Sequence, residues 1–167
     1  IEAILDNAGV GSGMRVLDVA CGTGVLFPDY LARGASVTGI DISPEMARIA
    51  AEKFAGEPRV QVLCGDVEEA VFSQPFDVVM VYNAFPHFPD PERLITHLSG
   101  LLAEGGVLTV AHGMSIEALN RHHSGRASSV SREMLTAEEL SAVFAPYFEV
   151  DTAVSDDEKF VVSGTKR

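Results

Sequence analysis

Along the chain, short runs rich in Val, Ile and Leu alternate with stretches in which apolar side chains recur every three or four positions. The runs at 15–21, 36–42, 59–64, 76–81 and 106–111 are almost continuously apolar, which predicts strands covered on both faces, as in a parallel sheet. Between them the period changes to that of helices. Ser43 before Pro44 predicts a helix start, with Met46, Ile49, Ala50 and Phe54 on one face. Asp90 and Pro91 repeat the signal ahead of Leu94, Ile95, Leu98, Leu101 and Leu102. Thr136 and Glu139 have capping-box spacing ahead of Leu140, Val143, Phe144 and Tyr147. Ile1, Ile4, Leu5 and Ala8 read as the last turns of a helix already under way.

Strand–helix alternation implies right-handed crossovers and a doubly wound α/β sheet, with helices on both faces in three α/β/α layers. The C-terminal end departs from it. Runs at 148–153 and 160–164 flank Ser155-Asp156-Asp157 and read as a hairpin, so the last strand is expected to run antiparallel. The polar stretch 122–131 lacks either period and reads as a loop.

Composition narrows the classes. With 47% hydrophobic and 22% charged residues in a chain of 167, the expectation is one globular domain with a full core. The chain opens on Ile1 rather than Met, and the expectation is that an N-terminal helical lid is missing. Against 12 basic residues stand 24 acidic ones, and no Lys/Arg cluster offers a face for phosphates, which argues against a nucleic-acid partner. No run approaches the roughly 18 apolar residues of a membrane span, so no membrane partner is expected. Cys21 and Cys64 make neither a disulfide framework nor metal-type spacing, and a cytoplasmic location is expected. The oligomeric state is not legible.

The sharpest motif is Val16-Leu17-Asp18-Val19-Ala20-Cys21-Gly22-Thr23-Gly24, a strand running into a Gly-x-Gly turn and then a helix. Glycines there let a ligand approach the backbone closely, in the crevice beyond the carboxyl ends of the strands. Asp41 ends the second strand, where it suits ribose hydroxyls, and Asp66 ends the third, where a carboxylate suits an adenine amino group. A dinucleotide is disfavoured. Phe27 stands where its fingerprint needs a third glycine, and Asp18 beside the loop would repel a pyrophosphate. A cationic ligand fits better.

These motifs resemble those of the class I S-adenosylmethionine-dependent methyltransferases. Residues 16–24 are similar to the family's first motif, Val37-Thr38-Gly39-Ile40-Asp41-Ile42-Ser43 to its second and Leu63-Cys64-Gly65-Asp66 to its third. Phe76-Asp77-Val78-Val79-Met80 resembles the fourth, and residues 101–108 the turn before strand five. The resemblance implies a Rossmann-like, seven-stranded sheet with its last strand antiparallel, and S-adenosylmethionine as cofactor. It implies that Gly22 and Gly24 shape the pocket for the methionine end and that Asp18 sits near the loop and the ammonium group. Asp41 would hold the ribose, Ile42 would lie against the adenine, and Asp66 and Val67 would meet it from the other side. Ala20 stands where the family often has glycine, a small-for-small change expected to be without consequence.

On the acceptor side, Tyr82-Asn83-Ala84-Phe85-Pro86-His87 lacks the Asn/Asp-Pro-Pro-aromatic motif of relatives that methylate amines of bases or glutamine amides. It resembles the Asn-Ala-x-x-His loop of small-molecule methyltransferases, and Asn83 joins the expected cofactor-binding residues. His87 after strand four and His112 after strand five are expected to face the crevice as catalytic candidates. His122 and His123, on a short helix expected from near Ser115, could join them; packing or a solvated loop are the competing readings, and no metal is expected. His97 reads as surface, Cys21 as a pocket wall and Cys64 as core. The expected activity is methyl transfer to a small molecule, with carbon methylation of a quinone-like ring or a non-catalytic S-adenosylmethionine-binding module as alternatives.

Overall fold

The computed structural model describes residues 2–83, 88–113, 135–156 and 159–167. Within them the chain runs α1 (Glu2–Ala8), β1 (Arg15–Val19), α2 (Phe27–Ala32), β2 (Ser36–Asp41), α3 (Pro44–Lys53), β3 (Val60–Cys64), a 3₁₀ turn (Val67–Glu69), β4 (Phe76–Tyr82), α4 (Pro91–Leu101), β5 (Leu102–His112), α5 (Ala137–Phe144), β6 (Phe148–Ser155) and β7 (Phe160–Lys166). The three expected helix starts are capped. Ser43 accepts from the Met46 N–H, Asp90 from the Arg93 N–H, and Thr136 and Glu139 exchange both bonds of a capping box. Each cap contributes on the order of 1 kcal/mol.

The strands form one seven-stranded sheet in the order β3-β2-β1-β4-β5-β7-β6. Pairing is parallel from β3 across to β5, while β7 is antiparallel to both β5 and β6, so the last strand alone is reversed. This is the Rossmann-like topology that the sequence motifs imply. One face buries Ile4 and Leu5 of α1, Phe27 and Tyr30 of α2 and Ala50 of α3 against Val16, Val37 and Met80. The other buries Leu94, Ile95 and Leu98 of α4 and Leu140 and Phe144 of α5 against Leu17, Val79, Val110 and Phe160. Because β1 has β2 on one side and β4 on the other, the loops leaving β1 and β4 diverge and open a crevice between them.

The structure corrects several local expectations. β3 is an edge strand, so its outward side chains are half-exposed rather than covered on both faces, and Cys64 is exposed rather than core. β1 stops at Val19 because Ala20 takes a left-handed φ of +55°. Leu102 belongs to β5 instead of the α4 stripe; it pairs with Phe76 ahead of an irregularity that resets the register to Val78 opposite Val107. Tyr147 lies beyond α5 and is exposed, and His97 is half-buried rather than on the surface. Among the described residues no helix is long and apolar enough to cross a membrane.

Candidate functional site

The turn after β1 is built by conformations that side chains resist. Gly22 has φ +59° with open space where a Cβ would point, whereas Gly24 has φ +83° and a Cβ there would meet Phe27 at 2.7 Å. Gly22 is therefore the open cradle, and Gly24 is the tight turn that seats Phe27 below it. Asp41 fastens the cradle to β2: its Oδ2 accepts the Gly22 N–H at 2.8 Å and its Oδ1 accepts the Ser43 N–H at 2.9 Å. One carboxylate thus holds the loop and orients the start of α3.

A groove of about 630 Å³ lies over the carboxyl ends of β1 to β4. It brings together seven residues singled out in the sequence: Ala20, Gly22, Asp41, Ile42, Asp66, Val67 and Asn83. Ile42 is 72% exposed and Met46 43% exposed, so two large apolar side chains face the groove rather than the core. Asp66 Oδ1 accepts the Glu68 N–H at 2.9 Å and caps the 3₁₀ turn, which leaves its second oxygen available. Glu68, Phe88 and Arg93 also line the groove, with Arg93 Nε 3.3 Å from Glu68 Oε1.

Asp18 lies beneath the loop, 4% exposed, with no hydrogen-bond donor to its side chain among the described residues. Burial first, and then the neighbouring Asp41 carboxylate, push its pKa from 3.8 up to about 8. The same causes, with Asp18 added, push the Cys21 thiol up to about 12, so it is no nucleophile at neutral pH. Cys21 is buried in the core beside Gly39 and is not among the groove-lining residues, in contrast to the expected pocket wall. Tyr30, buried on the same side of the sheet, is also raised above its ordinary value, by burial and then by Asp18. This arrangement favours a positive group.

Ala20 is a further correction. A left-handed L-residue costs about 1–2 kcal/mol relative to its ordinary backbone conformations, so alanine in the place of glycine at φ +55° carries strain. Of the histidines, His112 is the last residue of β5 and is buried, its ring tilted against Phe160 with centroids 5.7 Å apart. His87, His122, His123 and the short helix expected from Ser115 lie outside the described residues.

Met46, Glu68, Phe88 and Arg93 were not anticipated at the site. The signal for Met46 is its place five residues after Asp41, in the first turn of the helix that Ser43 and Pro44 start, but its place in an apolar stripe reads as core. A second depression, of about 780 Å³, lies between α4 and α5 and includes Glu92, Glu139 and Tyr147. It shares no lining residue with the groove and has none of the loop's features.

Comparison with known proteins bears on the same segment. The methyltransferase domain family matches residues 16–106, more than half of the chain. The ubiquinone biosynthesis O-methyltransferase of Xanthomonas euvesicatoria pv. vesicatoria is 37% identical over 100 residues, covering 58% of this chain and 42% of that protein. Its counterpart from Bordetella bronchiseptica is 37% identical over 106 residues, covering 62% and 44%. The chain thus spans less than half the length of these relatives. Among solved structures, an S-adenosylmethionine-dependent methyltransferase from Mesorhizobium loti superposes with a TM-score of 0.81 at 15% identity, covering 99% of this chain and 96% of that one. The N-methyltransferase NodS from Bradyrhizobium japonicum, in complex with S-adenosyl-L-homocysteine, does so with 0.77 at 14% identity, covering 99% and 84%. At such identities the likeness shows the fold.

Proposed function

The chain belongs to the methyltransferase domain family of S-adenosylmethionine-dependent enzymes, and from that premise we propose that its groove holds S-adenosylmethionine while a small-molecule acceptor is methylated. The observation that carries this reading is Asp18, a buried carboxylate without a donor beneath an open glycine loop. Protonated in the ligand-free protein at neutral pH, it gives up its proton when an ammonium group comes beside it, and in that ionised form it opposes the pyrophosphate of a dinucleotide. The neighbouring residues fit the rest of the cofactor. Asp41 keeps one lone pair on each oxygen for ribose hydroxyls, since each accepts a single backbone N–H. Ile42 and Met46 offer apolar surface to an adenine ring, and the second oxygen of Asp66 offers an acceptor for its amino group.

When bound, S-adenosylmethionine supplies an electrophilic methyl carbon on a sulfonium sulfur, open to in-line displacement by an acceptor. The chain's own contribution is orientation and exclusion of water. We assign His87, next after β4, to the acceptor side, as general base where the acceptor must lose a proton. His112, buried against Phe160 at the end of β5, suits a supporting role from within the core. The O-methyltransferases among the relatives favour a hydroxyl acceptor over a ring carbon. An exposed free thiol at Cys64 is consistent with a reducing cytoplasm.

Titration calorimetry with S-adenosylmethionine, followed by a screen of phenols, thiols and amines for release of S-adenosylhomocysteine, tests the reading. The expected result is binding, then turnover on a phenol-type acceptor. Absence of binding refutes it, and binding without turnover on every class favours a non-catalytic module.

A further inference from the structure

Asn83 joins the end of β4 to the end of β5 in a way that neither motif nor pocket describes. It follows the last ladder pair of the two strands, Tyr82 opposite Ala111. A residue continuing β4 would give its N–H to the Ala111 carbonyl and take the Gly113 N–H on its own main-chain carbonyl. The first bond is present, with Asn83 N donating to Ala111 O at 2.8 Å. The second is made by the side chain, whose Oδ1 accepts the Gly113 N–H at 2.9 Å. The backbone of Asn83 has already left the strand, at φ +55°. Asparagine is one of the few residues that tolerates this conformation and carries a carbonyl able to replace the main-chain one.

We propose that Asn83 is a positioning residue. Its side chain supplies the last rung of the β4–β5 ladder, so that the chain can turn out of the sheet at the crevice while the groove wall stays joined to β5. Asn83 itself lines that groove. Its carboxamide oxygen is thus engaged by Gly113, and it serves the ligand indirectly, by fixing the wall between the β4 and β5 ends. The functional half of this inference rests on the methyl-donor reading given above.

The test compares Asn83→Gly, which keeps the backbone conformation and removes the oxygen, with Asn83→Asp, which keeps an oxygen in place. Amide hydrogen exchange at Gly113 reads the cross-link, and calorimetry with S-adenosylhomocysteine reads the groove. Asn83→Gly is expected to speed Gly113 exchange about tenfold and to weaken binding about three- to tenfold, the range one net hydrogen bond supports. Asn83→Asp is expected to restore both to near wild type. The inference is overturned if Asn83→Gly matches wild type in both readouts, or if Asn83→Asp is no better than Asn83→Gly. A wild-type protein that binds no S-adenosylhomocysteine refutes the donor reading and the role of Asn83 in binding, while the exchange contrast still tests the cross-link by itself.

Discussion

Replacing Asp18 by Asn isolates what a buried, donorless carboxylate costs this fold. The carboxyl has an ordinary pKa of 3.8 in the unfolded chain and about 8 in the folded one. Between those pH values the folded state binds more protons, so stability falls as pH rises and levels off above about pH 8. At pH 7 the difference corresponds to about 4 kcal/mol, at 1.36 kcal/mol for each tenfold change in proton affinity. An amide escapes this penalty because it ionises in neither state. Its own N–H donors are left without partners at a cost of about 1–2 kcal/mol. Asp18→Asn is therefore expected to stabilise the ligand-free protein by about 2–3 kcal/mol at pH 7, with little gain or a small loss near pH 4. Urea unfolding followed by circular dichroism at pH 4, 5, 7 and 9 measures this. S-adenosylhomocysteine binding, in which the incoming ammonium draws the proton off Asp18, should weaken by about tenfold or more because an amide cannot take up the opposing charge. A stability difference that is constant across pH would refute the argument, because it would mean that Asp18 ionises alike in both states.

Three other substitutions probe the floor of the site. Asp41→Ala strips the Gly22 and Ser43 N–H groups of their acceptor; stability should fall by about 2–4 kcal/mol, with S-adenosylhomocysteine affinity reduced at least about tenfold, and a fully stable variant would contradict the role given to the carboxylate. Ala20→Gly relieves the left-handed alanine at the price of a more flexible unfolded chain, for a net gain of about 0.5–1 kcal/mol in thermal unfolding; a loss of stability would show that the strain is absent. Gly39→Ala would set a Cβ 2.5 Å from Phe27 Cζ and 2.8 Å from Cys21 Sγ. Phe27 is buried edge-on against Phe54 with centroids 5.1 Å apart and has little room to retreat. Unfolding should report about 1–3 kcal/mol of destabilisation, and a neutral outcome would mean that the α2 face is looser than described.

The parts of the fold that were legible in the sequence are those governed by local chemistry. Ser43, Asp90 and Thr136 announce helix starts because an N-cap needs only a short polar side chain at the right spacing. Gly22, Asp41 and Asp66 could be assigned to one groove because each ends or follows a strand, and a doubly wound sheet collects its strand ends on one edge. What stayed hidden depends on surroundings. The apolar run of β3 reads like that of a central strand, and only the strand order puts it at the edge with Cys64 in solvent. Met46 satisfies the α3 stripe, yet its position beside Ile42 turns it into the groove. The φ of Ala20 is a property of backbone geometry that an alanine does not announce, and the rung made by Asn83 depends on where the Gly113 N–H falls across the sheet.

The most direct test of the central claim is a crystal structure of the protein soaked or grown with S-adenosylhomocysteine. The expected result is a ligand in the groove over β1 to β4, with ribose hydroxyls on Asp41, adenine between Ile42 and the Asp66–Val67 edge, and the amino-acid end over Gly22 towards Asp18. Ligand seated elsewhere, for instance in the depression between α4 and α5, with the Gly22–Asp41 groove empty, would contradict it.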